Sequence, residues 1–512
     1  MQVYFPTRWI PCIFPSISIF ATCPLCPNSM AEERPEKRRR TADESAPDEF
    51  MATFLPTPTT ESQFHGLENI DPFLSPATSW GIDEFAHDPI YLASQEELRE
   101  LLFTTARSAA PTRAGTPVED DDISGEPSFN FSVKQILAKG RRVQYLKNYI
   151  SAVAPWLDMF DSNRAFAIQL PALAKESCPL LFAILAIGAR QLERKEKTQS
   201  SFDSLELYQE AIRLLTPLLQ ARDTHVIAAC VVLCCLEMFS ASAQDWRSHL
   251  EGCAAVFDAF GVNGFSGDVL QAVFWCYARM DVCGALISDG AESTLLKPKK
   301  WLPPNVSEEL AESMFCNASS ADMYANYAVY LCAKACELIS ERNRFVELGE
   351  DNGCNTESFS DRWFKLWDQL SRWSANRPRE ISPVFTTASL PFPKEFFAHW
   401  AAISSNQLYH TACVLLLSAS PKNKALLVPS PTTSILWHAK RICGISLANP
   451  HEGCLNNAIQ PLWIAGRLLS HSSEQTLVVK TIRHIEALTG WTACWRARDL
   501  EQFYGHKTRG VV

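Results

Sequence analysis

The sequence lacks long apolar runs and the sequence motifs of common catalytic sites. No stretch of 18 or more uncharged apolar residues occurs among its 512 residues, so it predicts no transmembrane helix and no membrane partner. It also contains no G-x-S-x-G, no G-x-x-x-x-G-K-[ST] and no G-x-G-x-x-G after a strand. Serine hydrolases and nucleotide-binding loops carry these motifs. We therefore predict that the protein is not an enzyme.

Positive charge is also in short supply. Lys and Arg number 47 against 57 Asp and Glu, which gives a net charge of -10 at pH 7. Proteins gain affinity for DNA largely by replacing its counterions with Lys and Arg side chains. The charge balance therefore opposes DNA binding, and any DNA contact would have to be local.

Eighteen cysteines are present, but they do not form the dense framework of a small secreted domain. Many lie inside helical patterns, as Cys230 and Cys234 do, which indicates a reducing, intracellular compartment. Near the N-terminus only Cys23 and Cys26 form a close C-x-x-C pair. They are weak candidates for metal ligands, and no other cofactor site is evident.

Residues 1–29 contain an apolar segment that resembles part of a signal peptide. Pro11 and Pro15 interrupt it, and proline breaks the helix that a signal peptide needs. The sequence that begins at Met30 has the composition of an ordinary N-terminus. We interpret residues 1–29 as a product of gene-start or splice choice, and we expect coding sequence upstream to be missing.

Residues 30–130 predict a disordered acidic head, because they are rich in Pro, Ser, Thr, Asp and Glu and lack apolar periodicity. Residues 51–125 hold 13 Asp and Glu against 3 Lys and Arg. Aromatic and aliphatic residues alternate with acids over 71–92, and residues 94–103 predict a short helix with Ser94 and Glu97 as a capping box. This pattern is typical of segments that contact coactivators or the transcription machinery. The alternative is a solvated linker with one docking helix.

A basic cluster lies within this head. Its residues are Lys37, Arg38, Arg39 and Arg40. Such clusters are typical of nuclear import signals. The cluster predicts that the protein is located in the nucleus.

Residues 131–512 predict an all-α domain of stacked helical hairpins. One stripe at helical spacing consists of Leu205, Tyr208, Ile212, Leu215 and Leu219. No strand-like alternation of useful length occurs, and residues 378–393 predict a loop insertion because their prolines and small polar residues carry no helical period. Ten tryptophans mark helix packing, and some of them could line a ligand pocket. They are Trp156, Trp246, Trp275, Trp363, Trp367, Trp373, Trp437, Trp463, Trp491 and Trp495.

An ordered series of segments carries a resemblance to a known family. They are YLKNYISAVAPWLDMFD (145–161), LPALAKESCPLLFAILAIGARQL (170–192), LELYQEAIRLLTPLLQ (205–220), HVIAACVVLCCLEMFS (225–240), DWRSHLEGCAAVFDAFG (245–261), QAVFWCYARMDVCGALI (271–287), PLWIAGRLLSH (461–471) and TGWTACWRARDLEQFYG (489–505). In these segments the chain resembles the fungal-specific transcription factor domain of Zn(II)2Cys6 regulators, most closely its Arca-like branch. The resemblance implies a nuclear transcription regulator, whose helical domain receives inducer signals.

The resemblance also implies a DNA-binding zinc cluster, which this sequence does not show. Two zinc ions with tetrahedral sulfur coordination need six bridging and terminal cysteines, whereas the N-terminal region offers Cys12, Cys23 and Cys26. We therefore expect zinc as a cofactor only if a complete cysteine cluster lies upstream. The chain as written is not expected to bind DNA specifically, and a homodimer is possible.

Other functions remain as alternatives. A non-DNA-binding adaptor or corepressor-like protein would keep the helical domain without the zinc cluster. A more distant third is a helical enzyme of the isoprenoid type, since Glu119, Asp120, Asp121 and Asp122 could hold magnesium. That run, however, lies in a linker and has no second metal motif. His249 and Cys253 share a helix face, but we interpret them as core residues.

Overall fold

The computed structural model describes residues 84–109, 133–197, 202–221, 223–240, 243–288, 290–317, 320–421 and 430–505. Helices dominate this part of the chain. Its first half contains α1 (Pro89–Ala109), α2 (Val133–Ala138), α3 (Arg142–Asn148), α4 (Ala154–Leu157), α5 (Leu170–Leu173), α6 (Cys178–Glu196), α7 (Asp203–Leu215), α8 (Thr224–Ser240), α9 (Ala243–Phe260) and α10 (Asp268–Ile287). Two π-helical turns, Tyr149–Val153 and Ala165–Gln169, flank α4.

The second half is also mainly helical. It contains α11 (Ala311–Asn317), α12 (Ala321–Glu347), α13 (Thr356–Ala375), α14 (Trp400–Ser418), α15 (Ile435–Ala448), α16 (Glu452–Gly466), α17 (Ser472–Thr489) and α18 (Cys494–Phe503). Short 3-10 turns occur at Glu84–His87, Thr216–Ala221, Pro298–Trp301, Glu308–Leu310 and Pro431–Thr433. The prediction of a helical domain is confirmed.

The segment predicted as a loop insertion contains a small antiparallel sheet. Strand β1 (Phe385–Thr387) pairs with β2 (Lys394–Phe396), and Thr386 lies opposite Glu395. The strands are only three residues long, too short for an alternating pattern to reveal them. The sequence therefore predicts no strand here. Because the sheet is so small, the fold is still all-α in character.

Helix α8 is the centre of the first half. Its residues 226–240 are all buried, because α6, α9 and α10 pack around it and its sequence is apolar on every side. The predicted stripe on α7 faces the same core, with Tyr208 and Leu215 fully buried. Burial of this helix on all sides removes a large apolar surface from water.

Helix α14 has the same position in the second half, where α12, α13, α15 and α16 surround it. It carries more polar side chains into the core than α8 does, and several of them are paired there. The Asn406 amide donates to the carbonyl of Ile381 at 2.9 Å, and the Gln407 amide donates to Ser446 Oγ at 2.6 Å. Paired polar groups avoid the cost of unsatisfied burial and fix the positions of neighbouring helices.

Helix α1 lies in the segment predicted as disordered head, and for residues 84–109 that prediction is wrong. Phe85 and Tyr91 are fully buried, and Leu102 packs so tightly on α9 that a Cβ on Gly252 would lie 2.8 Å from it. The segment therefore matches the alternative, a docking helix. The helix begins at Pro89 rather than at Ser94, because Asp88 Oδ1 accepts the N–H of Ile90 at 2.7 Å. The rest of the predicted head lies outside the described residues.

A close backbone approach holds the β-hairpin segment against α15. A Cβ added to Gly444 would lie 1.7 Å from the carbonyl oxygen of Pro393. We expect Gly444→Ala to destabilise the protein by roughly 1–3 kcal/mol or more, because backbone cannot move aside as a side-chain end can. The matched variant Gly252→Ala, which meets only the Leu102 side chain, should cost less. Urea unfolding measures both, and equal stability of Gly444→Ala and the unchanged protein would contradict the packing described here.

Candidate functional site

A cavity of about 440 Å³ lies between the two halves of the domain. Its wall comes from α4, α8, α10, α16 and the segment between α17 and α18. The lining residues are Ala86, His87, Trp156, Leu157, Met159, Cys235, Met238, Ser240, Cys276, Arg279, Met280, Cys283, Ile287, Asn456, Asn457, Ile459, Gln460, Trp491, Thr492 and Trp495. His87 is exposed and Thr492 half-buried, so the cavity reaches the surface at this end. A cavity of this size accepts a small organic molecule.

Three aromatic rings join the two halves beside the cavity, and two of them, Trp156 and Trp491, line it. The Trp156 ring stacks on Phe239 with centroids 5.7 Å apart, and the Trp491 ring meets both edge-on at 5.8 and 5.4 Å. Aromatic pairs at these separations contribute about 0.5–1.5 kcal/mol beyond their buried area. The prediction that some tryptophans line a pocket is confirmed for Trp156, Trp491 and Trp495.

Sulfur-containing side chains also line the cavity. Cys235 Sγ lies 4.0 Å from Cys276 Sγ and 3.4 Å from Met280 Sδ. The hydrogen bond between the two thiols and the positive charge of Arg279 hold the pKa of Cys276 below its ordinary value, against the opposing effect of burial. The same hydrogen bond and burial raise the pKa of Cys235. Burial raises the pKa of Cys283, the third lining thiol, to about 12.

Polar groups are few on the cavity wall but well placed. Arg279 is buried, and its Nη2 donates to the carbonyl of Leu157 at 2.6 Å. On α16, both amide atoms of Asn456 and Nδ2 of Asn457 are buried without a hydrogen-bond partner among the described residues. Buried amides are almost always satisfied, so these groups favour a guest that supplies a donor and an acceptor.

Three buried side chains, from α7, α8 and α9, contact one another in the core. Tyr208 donates to Glu237 Oε1 at 2.5 Å, and His249 Nδ1 lies 2.9 Å from Glu237 Oε2. The interpretation of His249 and Cys253 as core residues is confirmed, since both are buried. His249 thus links α9, which begins at Ala243, to Glu237 on α8.

The structure does not describe the site residues that the sequence predicts. Lys37 to Arg40, the Cys23 and Cys26 pair, and the acidic run 119–122 all lie outside the described residues. In the described part of the chain, no group of three or more His, Cys, Asp and Glu side chains is arranged to hold a metal ion. There, too, no helix is both long and apolar enough to cross a membrane.

The sequence analysis missed the residues that make the cavity polar. A signal for Arg279 was available, because it is the one basic residue in the apolar helix α10. Asn456 and Asn457 adjoin the apolar stretch 458–466 and could have been noticed as amides entering a core helix. Neither pattern indicates that Arg279, Asn456 and Asn457 line the same cavity.

The comparisons with known proteins agree with the fold. The family model of the fungal specific transcription factor domain matches residues 144–500, more than half of the chain. The chain therefore belongs to this family, and the prediction of a fungal transcription regulator is confirmed at the level of the family. The same membership points away from an enzyme.

One similar curated protein is a transcription activator named AMTR1, from Alternaria alternata. It is 22% identical over 340 residues, which cover 54% of this chain and 43% of the relative. The match thus spans less than half of the relative's length. No solved structure matches the chain.

Asp158, which lies between the lining residues Leu157 and Met159, makes the stability of the fold depend on pH. Burial raises its pKa to about 7, although the backbone N–H groups of Phe166 and Ala167 donate to its carboxyl at 2.7 and 2.9 Å and oppose the rise. In the unfolded chain an Asp carboxyl has a pKa of about 3.9. The folded chain therefore binds the proton more tightly, so the stabilisation is present at low pH and is lost as the pH rises from about 4 to 7.

We expect Asp158→Asn to remove most of this pH dependence. At roughly 1.4 kcal/mol for each unit by which a pKa differs between folded and unfolded chains, the loss of stability between pH 4 and 7 should shrink by about 2–4 kcal/mol. Urea unfolding across this range measures it. Asp281→Asn is the comparison variant and should remove a smaller part of the pH dependence, because burial raises the pKa of Asp281 only to about 6. An unchanged pH profile in Asp158→Asn would contradict the assignment.

Proposed function

We propose that the protein is a nuclear transcription regulator whose helical domain binds a small amphiphilic effector in the central cavity. The observation that carries this proposal is the combination of aromatic walls with the unpartnered amides of Asn456 and Asn457. Ligand sites are mostly apolar, with a few polar groups that fix orientation. Family membership supports the regulatory role.

The position of the cavity explains how occupancy would be sensed. A molecule there contacts α4, α8 and α10 from the first half and α16 from the second. A molecule that binds the folded state therefore stabilises the contact between the two halves by mass action. His87 lines the cavity two residues before α1 begins. A molecule bound in the cavity therefore also contacts the segment that connects the helical domain to the acidic N-terminal region. That region is proposed to contact the transcription machinery.

Thr492 offers a way to test the cavity as a binding site. It is half-buried in the cavity wall, and Thr492→Trp should fill part of the space. We expect Nile red, an apolar fluorescent probe, to bind the purified full chain and to bind Thr492→Trp at least tenfold more weakly, a loss of about 1.4 kcal/mol. The control Ser473→Trp adds the same side chain at an exposed position outside the cavity wall. Equal probe binding by all three proteins would overturn the proposal.

The basic cluster provides a test of nuclear location. We expect the tagged full chain to accumulate in the nucleus and the alanine variant of Lys37, Arg38, Arg39 and Arg40 to lose that accumulation, because import receptors bind such clusters through charge. The control replaces the exposed Lys297 and Lys299 with alanine. Cytoplasmic residence of the unchanged protein under all growth conditions would contradict nuclear function.

The alternative is an adaptor or corepressor-like protein that uses the same helical domain without contacting DNA. The net charge of -10 favours it. Genomic and transcript sequence upstream of Met30 distinguishes the two functions. A six-cysteine cluster followed by a basic linker would favour the DNA-binding regulator, in which zinc would then be a cofactor.

A further inference from the structure

The thiols in the cavity wall differ from ordinary core cysteines because they border empty space. Cys235 on α8 and Cys276 on α10 are each only 2% exposed, yet both line the 440 Å³ cavity. Their sulfur atoms lie 4.0 Å apart. A reagent can therefore approach these thiols through the cavity, whereas most of the described cysteines are enclosed by packed side chains.

Of these thiols, Cys276 has the surroundings of a nucleophile. The thiolate is the reactive form of cysteine, and neighbouring hydrogen-bond donors and cations favour it. Cys235 Sγ lies within hydrogen-bonding distance, 4.0 Å from Cys276 Sγ, and Arg279, three residues along α10, is the nearby cation. Among the described residues Arg279 donates to backbone carbonyls of α4 and forms no ion pair with a carboxylate, so its charge is available to a developing anion. Cys283, with a pKa of about 12, is expected to remain a thiol.

We propose that the cavity captures apolar α,β-unsaturated carbonyl compounds by covalent addition to Cys276. This rests on the proposed function, because it assigns a chemical class to the effector. The Cys276 sulfur forms a bond to the β-carbon, the double-bond electrons move to an enolate, and the α-carbon then takes up a proton equivalent to the one lost from the thiol. The net reaction adds S–H across C=C and needs no oxidant or reductant.

The cavity suits each part of such a molecule. An aryl or alkyl body packs against Trp156 and Ile459, and the carbonyl can accept from the unpartnered Nδ2 of Asn457. Arg279 stabilises the negative charge that develops on the oxygen. A charged or strongly polar electrophile gains none of the apolar contacts, so the site should select by polarity as well as by reactivity.

The test uses the purified full chain and benzylideneacetone, an apolar aryl enone, with peptide mass spectrometry to locate adducts. We expect Cys276 to be modified at least roughly tenfold faster than Cys283, the effect of one unit of pKa on the thiolate fraction. Cys276→Ser should abolish the cavity adduct, Cys283→Ser should not, and Cys235→Ala should slow it. Thr492→Trp should also slow it, whereas Ser473→Trp should leave the rate unchanged.

A sulfonated maleimide, which is charged, supplies the polarity control. It should modify the exposed Cys316 and leave Cys276 unmodified. Equal adduct formation at Cys276 and Cys283, or modification of Cys316 by the enone with none at Cys276, would overturn the proposal. Nile red binding is measured on every variant, which separates misfolding from lost reactivity. Retained probe binding without the adduct would overturn only the covalent step, whereas loss of both in the unchanged chain would also overturn the effector cavity.

Discussion

The contact between the Trp156, Phe239 and Trp491 rings is the constraint on which the site depends. Trp156 lies on α4, Phe239 on α8 and Trp491 two residues after the end of α17. Their ring centroids lie within 5.8 Å of one another. Nearby, Gln191 and Arg194 on α6 donate to the carbonyls of Thr489 and Gly490 at 3.0 and 2.6 Å. These ring contacts and hydrogen bonds hold the C-terminal helices against the first half of the domain. The cavity forms because they keep α16 and residues 491–495 in that position.

The interior of this domain admits polar groups only under specific conditions. Glu237 is buried between Tyr208, whose hydroxyl donates to Oε1 at 2.5 Å, and His249, whose Nδ1 lies 2.9 Å from Oε2, so these contacts offset part of the cost of burying it. Asp158 accepts two backbone amides and still has a raised pKa. By contrast, the amides of Asn456 and Asn457 have no such partners among the described residues. That difference separates groups that stabilise the fold from groups that are available to a ligand.

Helix α1 shows how tertiary contacts change the meaning of a sequence pattern. Alternating acids and aromatics over 71–92 are typical of an activation segment, and residues 84–92 have that composition. In the structure Phe85 and Tyr91 are nonetheless fully buried, with the Arg190 guanidinium 4.0 Å from the Phe85 ring centroid. Only aromatics that remain outside such contacts are available to a coactivator. In residues 84–109 the apolar side chains of the amphipathic pattern instead pack against the helical domain.

The sequence by itself determined the helical class of the domain, the apolar stripe of α7 and the resemblance to a fungal regulatory family. These follow from periodicity and ordered composition, which act over a few turns of helix. Only the tertiary structure decided that Arg279, Cys276 and Asn457 share one cavity. They are separated by up to about 180 positions in the chain, and no local preference specifies which helices meet. Their chemistry depends on that meeting, because burial and neighbouring charge determine which thiol is reactive and which amide is left without a partner.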